Sequence, residues 1–152
     1  MLATSQLTRE LEGIHTDVIL QVFGDQILVL ITQLGKVGSL IQATIPDTAP
    51  LLSLESIAEL AEFSLPPPPP AIQLTPLLGH AQSEHMQTLH TLYASQAATL
   101  VWIAEASGIM APERRGVIVG VALKRSPEDG RASEYEQKIF HGVMGMLKEL
   151  LA

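Results

Sequence analysis

Three histidines, His80, His85 and His90, recur at intervals of five residues, and imidazole is the side chain that most often binds metal ions in proteins. On a helix, however, five positions rotate the chain by about 140°, because each residue advances by about 100°. Successive histidines therefore leave the common face that ligands spaced at i and i+4 share. The spacing predicts a solvated helix face, with no bound metal ion and no cofactor.

A second candidate for chemistry is the stretch Gly35-Lys36-Val37-Gly38, which has the form of a phosphate-binding or nucleic-acid-binding glycine loop. Such loops lead into the first turn of a helix, whose free amides bind the anion, whereas both flanks of this stretch read as strands. We interpret it as a turn. The chain also has no cysteine and no G-x-S-x-G elbow, so no catalytic residue is assigned and the protein is predicted not to be an enzyme.

Composition restricts the class of partner. The 152 residues include 9 basic and 16 acidic side chains and only 4% aromatics, a balance that argues against binding to nucleic acid. No apolar run approaches the roughly 18 residues that a membrane helix needs, and the first residues do not resemble a secretory signal. We expect a soluble protein of the cytoplasm, with the nucleus as a second compartment and no association with membranes.

Hydrophobic periodicity predicts an α+β fold in one domain, 1–152. Gly24-Asp25 and Gly35-Lys36 are typical of turns between antiparallel strands, so the apolar stretch Ile27–Ile41 is predicted to be a β-hairpin. Three- and four-residue steps predict a long helix from Met86 and a second one after Ser133. The strands are predicted at Leu7–Glu12, Asp17–Phe23, Ile27–Leu34, Val37–Ile45, Ile72–Leu78 and Val117–Leu123.

Seven of the ten prolines lie between Pro46 and Ala71, and we interpret this segment as an insertion or linker. Five of them are consecutive, from Pro66 to Pro70, which favours an extended polyproline II conformation and excludes the interior of a sheet. The run is interpreted as a passive spacer; a ligand for an SH3-like or WW-like domain is the alternative. Between the prolines, 53–63 could form a short helix.

The sheet itself carries the functional prediction. The strand Ile27–Leu34 is apolar at both odd and even positions, and so is Val117–Leu123, which indicates strands buried on both faces. Two helices packed on one face of an antiparallel sheet of about five or six strands leave its other face available to a dimer partner. The predicted partner interface is Leu28, Val29, Leu30 and Ile31, with Lys36 at the tip of the turn.

The sequence of Ile27–Leu40, ILVLITQLGKVGSL, resembles the central segment of the proteasome assembly chaperone 3 family. The resemblance continues more weakly in 5–23, 77–79 and 117–124, and does not extend to Pro46–Ala71 or to Gly108–Gly116. It implies a non-catalytic subunit that pairs with an assembly chaperone 4-like subunit, as a heterodimer, and holds a proteasome α-type subunit. The pair would promote formation of the α-ring of the 20S core particle and leave as β-subunits are incorporated.

Other readings stay open at this point. A homodimer fits the covered face as well as a heterodimer does. A dimeric adaptor scaffold of the roadblock or longin type also combines antiparallel strands with long helices, and a small hydrolase is the third alternative. The sequence does not choose the α-type subunit or the residues that contact it.

Overall fold

A computed structural model of the protein describes residues 3–46, 48, 65–81, 83–106, 115–124 and 132–151. The helix predicted at 53–63 lies outside these residues, as does most of the loop that begins at Gly108. The elements are β1 (Ala3–Leu11), β2 (Ile14–Val22), β3 (Gln26–Thr32), β4 (Ser39–Thr44), β5 (Gln73–Leu78), α1 (Glu84–Ala106), β6 (Gly116–Ala122) and α2 (Ala132–Leu151).

The strands form one six-stranded sheet in the order β1-β2-β3-β6-β4-β5. The strands β1, β2 and β3 are a meander of antiparallel neighbours, and β4 is antiparallel to both β6 and β5. The central pair, β3 and β6, is parallel. The predicted α+β class is thus confirmed, with a mixed sheet that is mostly antiparallel.

The predicted hairpin Ile27–Ile41 is wrong, because β6 lies between β3 and β4 and pairs with both. Neighbouring strands are about 4.8 Å apart, so the connection between β3 and β4 must span about 10 Å. It does so by crossing the end of β6, where the amide of Gln33 donates to the carbonyl of Ala122 at 2.8 Å. At Gly38, an added Cβ would lie 2.3 Å from the carbonyl oxygen of Val121. Gly38, one of the glycines that suggested a hairpin turn, therefore allows a close crossing.

Both helices pack on the same face of the sheet, as predicted: α1 contacts β4 and β6, whereas α2 contacts β1 and β2. The core between these layers includes Val18 of β2, Val29 of β3 and Val119 of β6, all with no exposed surface. The rings of Tyr93 and Phe140 meet edge to face at 5.1 Å and join the two helices, an arrangement that aromatic pairs prefer.

Arg115, just before β6, connects three elements at one end of the sheet. Its guanidinium contacts Oε1 of Glu105 on α1, with Nε at 3.0 Å and Nη2 at 2.6 Å, and donates to the carbonyl of Phe23 at 2.7 Å. Its own carbonyl accepts a hydrogen bond from Nε1 of Trp102 at 2.8 Å. The pair is largely shielded from water, so its two members depend on each other.

Among the helices that the structure describes, none is long and apolar enough to cross a membrane.

Candidate partner interface

The sheet face that the helices leave uncovered carries a patch of aliphatic side chains. On β3, Leu28 and Leu30 alternate with the buried residues and point away from the helices, because successive side chains of a strand lie on opposite faces. Residues opposite one another in the strand register share a face, which places further aliphatic residues of β2, β4 and β6 beside them. We call this set the open patch: Ile19, Leu28, Leu30, Leu40 and Ile118.

A glycine lets the open patch close at its centre. Gly120 lies between Leu30 and Leu40 in the register, and a Cβ there would lie 2.6 Å from Cδ2 of Leu30 and 3.1 Å from Cδ2 of Leu40. The two leucines therefore pack over the backbone of β6. All five patch residues are half-buried although neither α1 nor α2 lies on their side of the sheet. Their burial comes from one another and from the strands, and together they form one continuous surface.

The border of the open patch is mostly polar, apart from the exposed Leu78, which lies opposite Leu40 in the register of β4 and β5. Glutamine and threonine side chains occupy the surrounding positions of the same face: Thr4, Gln6, Gln21, Gln26, Gln42, Thr44 and Thr75. A carboxylate, that of Asp17, lies toward one end and accepts a hydrogen bond from Thr8 Oγ1 at 2.5 Å. An apolar centre without charges, inside a polar rim, is the composition of a protein–protein interface.

The structure divides the predicted interface residues between the two faces of β3. Leu28 and Leu30 belong to the open patch, and their role in partner binding stays a prediction. Val29 and Ile31 are 0% exposed in the core under the helices, so assigning them to an interface on the open face is wrong. The run was assigned whole because it is apolar at every position, and only the alternation of the strand separates the two sets.

Ile19, Leu40 and Ile118 are patch residues that the sequence prediction missed. The period-two alternation in Asp17–Phe23 and in Val37–Ile45 contains the signal for Ile19 and Leu40. Val117–Leu123 is apolar at both odd and even positions, so it gives no such signal for Ile118. Their placement beside Leu28 and Leu30 depends on the pairing of β3 with β2 and of β6 with β3 and β4, which the local sequence does not encode.

One solved structure to which the chain is similar is described as "Crystal Structure of a Novel Chaperone Complex for Yeast 20S Proteasome Assembly". The two chains are 14% identical, the similarity covers 99% of each, and the TM-score is 0.46. At this identity and TM-score the likeness assigns no function to the chain. Comparison with known protein families gives no match, and comparison with curated proteins gives none.

Lys36 lines a groove of about 520 Å³ near the end of β6. The carbonyl oxygen of its neighbour Val37 lies 3.2 Å from where a Cβ of Gly120 would be, at the centre of the open patch. The groove is also lined by Lys124, Met86, His80 and His90. Lys36 is exposed in the crossing turn, where its amide donates to Thr32 Oγ1 at 3.2 Å. Its predicted contact with a partner stays a prediction.

The three histidines do not share one environment. His80 is exposed before α1, and His85 is within hydrogen-bonding distance of Glu136 on α2, with Nε2 2.7 Å from Oε1. His90 is buried, so the predicted solvated face is wrong for this residue, and burial lowers its pKa from 6.5. Within the described ranges, no group of three or more His, Asp or Glu side chains could hold a metal ion.

Proposed function

We propose that this chain is a non-catalytic assembly chaperone that pairs through the open patch. Its partner is a related subunit of the assembly chaperone 4 type, or a second copy of the chain. The pair holds a proteasome α-type subunit, promotes formation of the 20S α-ring and leaves as β-subunits are incorporated. It acts in the cytoplasm and the nucleus.

The open patch carries the pairing part of this proposal. Five aliphatic side chains form its centre and no charged side chain of the described residues lies among them. A contiguous apolar surface with a polar rim marks an interaction site. Two sheets that pack face to face at about 10 Å interdigitate their side chains, and such packing would remove the remaining exposed surface of the patch. Support for the proteasome part is the resemblance of Ile27–Leu40 to the assembly chaperone 3 family.

The pairing is tested with Leu30→Asp. In the isolated chain a carboxylate at this half-exposed position reaches water, but in a paired sheet it is a buried and unpaired charge. We expect the association with the partner to weaken by at least about 30-fold, the equivalent of ~2 kcal/mol. Gln137→Glu introduces the same charge on an exposed position of α2, across the sheet from the patch, and is the matched control.

Light scattering coupled to size-exclusion chromatography gives the mass of the chain alone and after coexpression with an assembly chaperone 4-like subunit. A chain that stays monomeric in both samples contradicts the pairing. Pull-down from lysate with mass spectrometry then tests the role. Recovery of α-type subunits without β-subunits supports the proposal, whereas vesicle or GTPase partners would indicate an adaptor of the roadblock or longin type and overturn it.

A further inference from the structure

The run Pro66–Pro70 has a threefold pattern of exposure. Each ring fixes its own φ, and each residue that precedes a proline is confined to extended ψ values, so the five rings follow a polyproline II helix with three residues per turn. The structure shows this period directly, because Pro66 and Pro69 are buried while Pro67, Pro68 and Pro70 are exposed.

The run is anchored to the body of the protein along its buried side. The buried side chain of Gln96 on α1 donates from Nε2 to the carbonyl of Pro66 at 2.8 Å. After the run, the amide of Ile72 donates to the carbonyl of Pro69 at 3.2 Å, which closes a turn. Leu65 and Ile72, on either side of the prolines, pack against the hydrophobic core. The prolines are therefore held at both ends in one conformation.

A helix with three residues per turn has three rows of side chains, which we call ridges. When such a helix binds in a groove, two of its ridges contact the groove and the third points away from it. Here the ridge of Pro66 and Pro69 rests on the protein itself. The ridge of Pro67 and Pro70 faces solvent, and so does Pro68 on the third ridge. Both ridges that a groove would contact are thus free, while the ridge that would point away from a groove holds the run to α1.

We propose that these exposed residues, Pro67, Pro68 and Pro70, are a docking ligand for a partner protein with an aromatic-lined groove that recognises polyproline II. Proline rings pack on aromatic side chains in such grooves, and a preformed extended ligand loses little conformational entropy on binding. The ligand has no basic residue near it in the chain, because no Lys or Arg occurs between Lys36 and Arg114. The groove that fits this ligand binds proline rings and does not require a basic residue next to them in the ligand.

This inference does not rest on the proposed chaperone function. Gln96, which anchors the run, belongs to α1 on the helix-covered side of the sheet, whereas the open patch lies on the other side. The two surfaces can therefore be occupied at the same time, and an experiment can contradict either proposal without affecting the other.

The test measures binding of the full chain to four immobilised probes: profilin, and one isolated domain each of the WW, EVH1 and SH3 types. We expect at least one of the first three to bind with a Kd below about 100 μM. The double variant Pro67→Ala/Pro70→Ala should weaken that binding at least tenfold, since it removes both rings of one exposed ridge. Pro76→Ala, at an exposed proline of β5, should leave it within about twofold.

Three results would overturn the proposal. They are the absence of binding by the wild-type chain to any of these probes up to about 1 mM, equal binding by wild type and the double variant, or equal losses in the double variant and Pro76→Ala. Thermal unfolding of each variant separates loss of the ligand from loss of the fold. The substituted rings are exposed, so their removal should lower the midpoint by only a few degrees, through the greater freedom of the unfolded chain.

Discussion

Replacing Gly38 by alanine tests the crossing of the β3–β4 connection over the end of β6. Gly38 has a φ of 69°, and a residue with a Cβ loses about 1–2 kcal/mol in this left-handed region. The new Cβ would also lie 2.3 Å from the carbonyl oxygen of Val121 and 2.7 Å from Cβ of Ala122. These atoms belong to a central strand, so relieving the overlap requires a backbone shift worth about 1–3 kcal/mol more. The expected loss in the free energy of unfolding is therefore about 2–5 kcal/mol.

Gly35→Ala is the matched control for this prediction. Gly35 has nearly the same φ, 71°, but a Cβ there meets nothing within 4 Å, so only the conformational loss of about 1–2 kcal/mol applies. Urea unfolding followed by circular dichroism measures both variants, at several protein concentrations so that association does not enter the comparison. In thermal unfolding the midpoint should fall by about 4–20 °C for Gly38→Ala and about 2–8 °C for Gly35→Ala.

Equal losses in the two variants, within about 0.5 kcal/mol, would refute the reasoning. They would mean that Gly38 does not lie against β6, as in a hairpin in which β3 and β4 pair directly. The comparison therefore distinguishes the two topologies by stability alone.

Two further predictions concern stability. Burial lowers the pKa of His90, so below about pH 6.5 the unfolded chain binds a proton that the folded chain does not bind. The free energy of unfolding therefore decreases as the pH is lowered. His90→Gln should flatten this fall between about pH 6.5 and about pH 5, whereas His141→Gln, at an exposed position, should keep it, and urea unfolding at each pH would contradict the assignment if both variants behaved alike. Arg115→Ala leaves Glu105 without its cation and should lower the free energy of unfolding by about 2–4 kcal/mol, whereas Arg9→Ala, which removes an exposed ion pair, should lower it by less than about 1 kcal/mol. Equal losses in chemical denaturation would show that the Arg115 contacts contribute no more than a surface pair.

Local signals predicted the strands and their first connections well. Gly24-Asp25 was expected to join two antiparallel strands, and β2 and β3 are joined there, with the amide of Phe23 donating to the carbonyl of Gln26 at 2.9 Å. The apolar run Ile27–Leu34 was expected to be a strand, and β3 occupies Gln26–Thr32. Such features depend on residues close together in the chain, which is why the sequence reveals them.

The place of β6 could not be predicted in the same way. Its pairing joins Gln26–Thr32 to Gly116–Ala122, and nothing in either segment specifies that the other is its neighbour. Turn chemistry did not help, because Gly35 and Gly38 are as suitable for a tight hairpin as for a crossing. The full open patch could not be predicted for the same reason, because Ile118 lies beside Leu28 only through this long-range pairing.

The late position of β6 in the chain has a consequence during synthesis. At about 5–20 residues per second, β3 and β4 leave the ribosome several seconds before the strand that separates them exists. Over that interval each presents an unpaired edge of backbone donors and acceptors, which is a template for pairing with the wrong strand or with another nascent chain. We therefore expect the N-terminal half to be prone to aggregation when it is made alone. Once β6 has been synthesised, it can pair with both β3 and β4 and remove their unpaired edges.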